Sequence, residues 1–103
     1  MRKPSESTLS RGVTVGRVLS SKTRIKLLVA LFESRRRRVD LCVKELAETV
    51  GLSHSAISHQ LARLADMGIV TPSRTGQTVC YSLTGSPATR ALAHVMKQLT
   101  STK

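Results

Sequence analysis

The chain has 103 residues, 40% of them hydrophobic but only 2% aromatic, which suits one domain with a thin, aliphatic core. Seventeen Lys and Arg against six Asp and Glu leave a net charge of +11, an excess that suits a polyanionic partner through release of its counterions. With no run of about 18 apolar residues and no leader-like start, a membrane span is excluded; the chain is expected in the cytoplasm, with its two cysteines as reduced thiols.

Residues 1–7 are polar, charged and carry Pro4, so a disordered or frayed tail is expected before a single domain over 8–100. Leu9, Val13, Val18 and Leu19 outline a first helix that Gly12 and Gly16 weaken. Arg35 to Arg38 repel one another and read as a solvated loop. From such a loop Arg36 and Arg37 would add non-specific grip on a DNA backbone.

Val43 to Val50 puts Val43, Leu46, Ala47 and Val50 on one face, and Gly51 breaks it from the next helix. Ser53 is a good N-cap for that helix, and Ile57, Leu61 and Leu64 recur at the spacing that stacks side chains on one side. The opposite side carries Ser55, His59, Ala62 and Asp66, flanked by Ser58 and Arg63, and Gly68 ends the element. Helix, glycine-containing turn, helix is the pattern of a helix-turn-helix.

Ile69 to Ser73 and Thr78 to Leu83 read as a β-hairpin around a turn with Arg74, Thr75, Gly76 and Gln77. Alternation turns Val79, Tyr81 and Leu83 to one face, with Cys80 and Ser82 on the other. Pro87 suits the first turn of a last helix, striped by Ala88, Ala91, Leu92, Val95 and Leu99. The fold class is mainly α with a small β-hairpin.

No nucleophile elbow, phosphate loop or zinc-protease motif occurs, so Ser53, Ser55, Ser58 and the nearby histidines do not read as an enzyme's constellation. Small and hydrogen-bonding groups on an exposed helix face suit a major groove, because long apolar side chains would hold the backbone off the base edges. The expected partner is double-stranded DNA. Ser55, Ser58, His59 and Gln60 would enter the groove, with His54 and Arg63 on flanking phosphates or bases and Arg74 and Gln77 in the hairpin.

The segments TRIKLLVAL, DLCVKELAETVGLSHSAISHQLARLADMGIV and RTGQTVCYSL resemble the ArsR-type winged helix-turn-helix repressors, over about Ser20 to Leu83. The resemblance implies a homodimer, joined through its first and last helices, that binds an inverted repeat in a promoter and responds to an inducer. The family's thiolate metal site uses a Cys-x-Cys pair. Here Cys42 is kept but Lys44 stands at the second position, a cation that opposes a divalent metal. Gly85, Ser86 and Pro87 stand where the family's other site begins, leaving only His94, and His54 and His59 lie elsewhere, so no metal and no cofactor is expected.

A thiol-redox response is the better inducer hypothesis. Cys42 lies near a helix N-terminus beside Lys44, and both features favour thiolate. Redox-responsive relatives pair a cysteine here with one in the last helix, whereas Cys80 sits in the hairpin. Whether Cys42 and Cys80 come within the roughly 7 Å that a disulfide needs stays open. The alternatives are a metal-responsive repressor, a non-sensing basic DNA-binding protein of nucleoid type, and an inert, buried Cys42.

Overall fold

The computed structural model describes residues 3–100, with elements α1 (Glu6–Leu19), α2 (Lys22–Arg37), β1 (Leu41–Cys42), α3 (Val43–Val50), α4 (His54–Asp66), β2 (Val70–Thr75), β3 (Thr78–Leu83) and α5 (Pro87–Thr100). Serines start three of the helices. The hydroxyls of Ser5, Ser21 and Ser53 accept from the amides of Thr8, Arg24 and Ala56 at 3.2, 3.3 and 3.1 Å, satisfying donors that the first turn leaves unpaired.

Two glycines shape the helix-turn-helix. Gly51 takes φ +81° while its amide donates to the Ala47 carbonyl at 2.8 Å, which closes α3 and turns the chain into α4. Gly68, at φ +77°, ends α4 in the same way, and the Ile69 amide reaches back to Leu64 at 3.0 Å. The chain then leaves directly into β2.

The aliphatic core is built from α2, α3, α4, the strand entry and α5. Leu27, Leu28, Leu46, Ile57, Leu61, Leu64, Ile69 and Leu92 are all without exposed surface. The two aromatic residues stay at its margin, with Phe32 and Tyr81 half-buried. Among the described residues one polar residue is buried as a whole, Thr89 at the start of α5, and its hydroxyl lies 3.4 Å from the Ile69 carbonyl at the entry to β2. Its hydroxyl lies 2.8 Å from that of Thr84 and 2.9 Å from that of Ser86 and can donate to one of them, while Thr84 and Ser86 both donate to the Gly68 carbonyl. This knot fastens α5 to the corner where α4 becomes β2, and a fully satisfied buried network of this kind fixes one arrangement.

The sheet has the order β1-β3-β2. β2 and β3 form the hairpin, in register from Val70 opposite Leu83 to Thr75 opposite Thr78, so that only Gly76 and Gln77 make the turn. Arg74 and Thr75, expected in the turn, are strand residues. β1 is absent from the sequence reading. Two residues, Leu41 opposite Tyr81 and Cys42 opposite Cys80, are too few for a periodicity to show.

Three further expectations are corrected. Arg35, Arg36 and Arg37 form the last turn of α2, not a loop, and Arg38 is its left-handed cap at φ +58°, donating to Arg35. Positive side chains at a helix C-terminus face the negative end of its dipole, which offsets their repulsion. The frayed tail expected over 1–7 falls in part on residues 1 and 2, outside the described residues, and Glu6 and Ser7 already belong to α1. The two cysteines, expected as separate thiols, are joined as a disulfide, Cα to Cα 3.8 Å, because β1 sets them directly opposite each other.

Candidate nucleic-acid interface

α4 is mounted as the sequence pattern requires. Ile57, Leu61 and Leu64 are fully buried, while His54, Ser55, His59, Ala62, Arg63 and Asp66 are exposed and Ser58 is half-buried at the edge. On the exposed face the Arg63 Nε donates to the His59 Nε2 at 3.2 Å, one turn apart, and the Ser53 and Ser55 hydroxyls lie 3.4 Å apart at the helix start.

A cleft borders each side of this face. One, of about 620 Å³, lies between α3, the start of α4 and the hairpin, and is lined by Lys44, His54, Ser58, Arg74 and Gln77 with Cys42 in its wall and one acid, Glu45. The second, of about 460 Å³, lies where α1 ends against α4 and is lined by Arg17, His59, Arg63 and Asp66. A convex polar helix between two cation-lined hollows is complementary in relief to a duplex groove between its two phosphate strands.

Of the residues expected to act together, His54 and Ser58 of α4 share one cleft with Arg74 and Gln77 of the hairpin, His59 and Arg63 line the other cleft, and Ser55 is exposed in the first turn of α4. Gln60 is elsewhere. It is half-buried on the flank of α4 toward α2, where its amide oxygen accepts from the Arg24 Nη1 at 3.1 Å. Arg36 and Arg37 are elsewhere as well. Both pair with Glu33, at 2.9 and 3.3 Å, and Arg36 borders a cleft with Phe32, Arg90, His94 and Lys97 between α2 and α5. The hydrogen bond from Arg36, helped by the charges of Arg36 and Arg37, holds the Glu33 carboxyl below its ordinary value.

Strand direction explains that separation. β1 runs antiparallel to β3, with Leu41 opposite Tyr81 and Cys42 opposite Cys80, so the chain enters β1 from the end of β3 remote from the Gly76 turn. The arginine run therefore sits at the base of the hairpin, and its tip lies at the other end. From the sequence Lys44 is read only for its effects on metal binding and on Cys42, and Arg17 is not singled out at all. Each lines a cleft beside α4, and their contribution was hidden because it depends on how α3 and α1 pack on α4.

The bacterial regulatory protein, arsR family, model matches residues 21–71. The HTH-type transcriptional regulator CmtR of Mycobacterium bovis is 34% identical over 93 residues, spanning 89% of this chain and 71% of the relative.

The chain belongs to the ArsR family.

The ArsR-family regulator NmtR of Mycobacterium tuberculosis is 38% identical over 65 residues, 63% of this chain, and those residues span 50% of that relative's length. The crystal structure of the AntR antimony-specific transcriptional repressor superposes with a TM-score of 0.76 at 31% identity, covering 98% of this chain and 87% of that one. The fold is thus a winged helix-turn-helix, with β2 and β3 as the wing and α4 as the recognition helix. This is a transcriptional regulator of the ArsR family and not an enzyme. A thiolate-held metal does not fit the family position in this chain, because Cys42 is bonded to Cys80 and Lys44 replaces the second thiolate. Among the described residues no three His, Cys, Asp or Glu are grouped to hold a metal ion, and no helix is long and apolar enough to cross a membrane.

Proposed function

We propose that this chain is a cytoplasmic, homodimeric repressor that binds an inverted repeat in double-stranded DNA through α4 and the wing, and that the Cys42–Cys80 pair makes binding depend on thiol redox state. The observation that carries the reading is the mounting of α4. Three fully buried aliphatic residues pin its inner side, and a polar outer side stands between two cationic clefts. His54, Ser55, Ser58 and His59 enter the major groove, and Arg63, Arg74, Gln77 and Lys44 hold phosphates or the adjoining minor groove.

Support for a dimer comes from α1 and α5, which pack on each other and leave Leu9, Val13 and Leu99 at 50%, 62% and 57% exposure. Two copies meeting there would cover apolar surface that one copy leaves wet. Support for redox dependence comes from position. The bonded pair joins the N-cap of α3 to the wing strand, and Cys42 lines the same cleft as His54 and Arg74.

The testing experiment has two stages. The full chain is first used to select duplexes from a random-sequence library, and an inverted repeat with half-sites about one helical turn apart is expected. The selected duplex is then titrated with oxidised and with dithiothreitol-reduced protein. Failure to enrich any sequence would refute operator recognition, and equal affinity of the two forms would refute redox control.

A further inference from the structure

We propose that Arg24 is a positioning residue for DNA recognition, holding α1 and α4 together from one guanidinium so that the recognition helix stands at a fixed angle to the α1–α5 layer. This inference rests on the DNA-binding reading above and deepens it. The Nη1 of Arg24 donates to the Gln60 side-chain oxygen in the middle of α4, at 3.1 Å. Its Nη2 donates to the carbonyl of Arg17 in the last turn of α1, also at 3.1 Å. Its Nε is buried without a partner.

A cation with one desolvated, unpaired N–H and two neutral acceptors is a poor choice for stability alone, since an apolar side chain there would carry no desolvation cost. What the guanidinium supplies is a rigid fork. Its planar geometry fixes two acceptors on two different helices relative to each other. The same tie also consumes the Gln60 oxygen, which explains why this residue faces α2 and not the groove.

The consequence reaches the DNA face through Arg17. With its carbonyl held by Arg24, the end of α1 lies against α4, and the Arg17 side chain lines the cleft with His59 and Arg63. Arg17 is thereby a further phosphate contact on the side of α4 away from the wing. In a dimer built on α1 and α5, the two copies of this tie also set the separation of the two recognition helices. A site whose support is left loose by about an ångström loses much of its discrimination.

The test uses the full chain, a duplex that the wild-type protein selects from a random library, and a scrambled duplex of the same length. Affinities are measured over a range of salt, at temperatures where circular dichroism shows each variant folded. Arg24→Met is expected to lower the ratio of selected to scrambled affinity by about tenfold or more without touching DNA itself, with Arg24→Lys between it and wild type. Arg17→Ala is expected to reduce the salt slope by about one and leave the ratio in place. Gln60→Glu keeps an acceptor for Arg24 and is expected to keep the ratio, whereas Gln60→Ala loses it. A folded Arg24→Met protein with the wild-type ratio and slope overturns the proposal, even if its melting temperature falls. So does a Gln60→Glu protein that loses as much as Gln60→Ala, because Gln60 would then be reading bases directly. If Arg24→Met does not fold, Gln60→Ala cuts only the α4 end of the tie, and an unchanged ratio there overturns it equally. A wild-type chain that selects no duplex refutes the DNA-binding reading instead.

Discussion

Reducing the Cys42–Cys80 bond should destabilise the helix-turn-helix and the wing by an amount the topology sets. The bond closes a loop of 38 residues. That loop contains α3, α4, β2 and the first part of β3, which is the whole helix-turn-helix and most of the wing. Chain-entropy reasoning gives about 4 kcal/mol for a closed loop of this length, through restriction of the unfolded chain. For a domain of about 100 residues each kcal/mol moves the melting temperature by roughly 4–8 °C, so a fall of about 15 °C or more is expected. The assay is thermal unfolding followed by circular dichroism, at one protein concentration because dimerisation shifts the midpoint by mass action. Oxidised protein, protein in dithiothreitol and the Cys42→Ser/Cys80→Ser double variant are compared. The double variant should melt near the reduced form and ignore the reductant. A shift of less than about 2 °C in the wild type, below the smallest per-kcal/mol effect, would refute the reasoning. An equal shift in the double variant would show that the reductant acts elsewhere.

Replacing Ser58 or His59 by alanine should weaken binding to the selected duplex by roughly 1–3 kcal/mol with the melting temperature held, and full affinity in both would remove α4 from the groove. Lys44→Ala and Arg74→Ala should each reduce the slope of log affinity against log salt by about one. The Arg36→Ala/Arg37→Ala pair, at the base of the wing and engaged with Glu33, should leave that slope unchanged; a flatter slope would return the arginine run to the interface. The Glu33 carboxyl should titrate below the ordinary value of a glutamate and move back up in Arg36→Ala, as followed by carbon-detected NMR. Because its pKa in the folded state is lowered, the contribution of this contact is present above the unfolded value and is lost as pH falls through the folded one.

The recognition helix was legible because its determinants are local. Ser53, the ridge of Ile57, Leu61 and Leu64, and Gly68 lie within sixteen residues and are each read from spacing alone. The hairpin was legible for the same reason, to within two residues of its turn. β1 was not, since two residues carry no period and its existence depends on β3 lying alongside. That one missing strand is why the approach of Cys42 and Cys80 stays open in the sequence, since they are 38 residues apart and opposite each other only through this pairing. The arginine run was misread from a sound premise. Four like charges do repel, but Glu33 lies one turn before Arg36 and Arg37, and the C-terminal end of α2 attracts cations. Gln60 failed in a different way. Its place on the helix wheel lies beside the buried ridge, and only the position of Arg24 on another helix determines which way its amide turns.

The charge of this chain is therefore partitioned, and its total of +11 understates the order. One group of cations, Lys44, Arg74, Arg63 and Arg17, surrounds the outer face of α4. Another, Arg35, Arg36, Arg90 and Lys97, gathers between α2 and α5, and of these Arg36 pairs with Glu33. Only the first group has a polar helix between its members, so only there does nonspecific attraction coincide with a surface able to read bases. That face is held from three sides: by the aliphatic ridge beneath, by Arg24 on the α2 flank, and by α3, bonded through Cys42 to the wing. A recognition helix fixed in this way contributes specificity in proportion to how little it moves. The supports that are neither buried hydrocarbon nor backbone, the guanidinium fork and the disulfide, are then the places where single substitutions should change DNA discrimination while the fold persists.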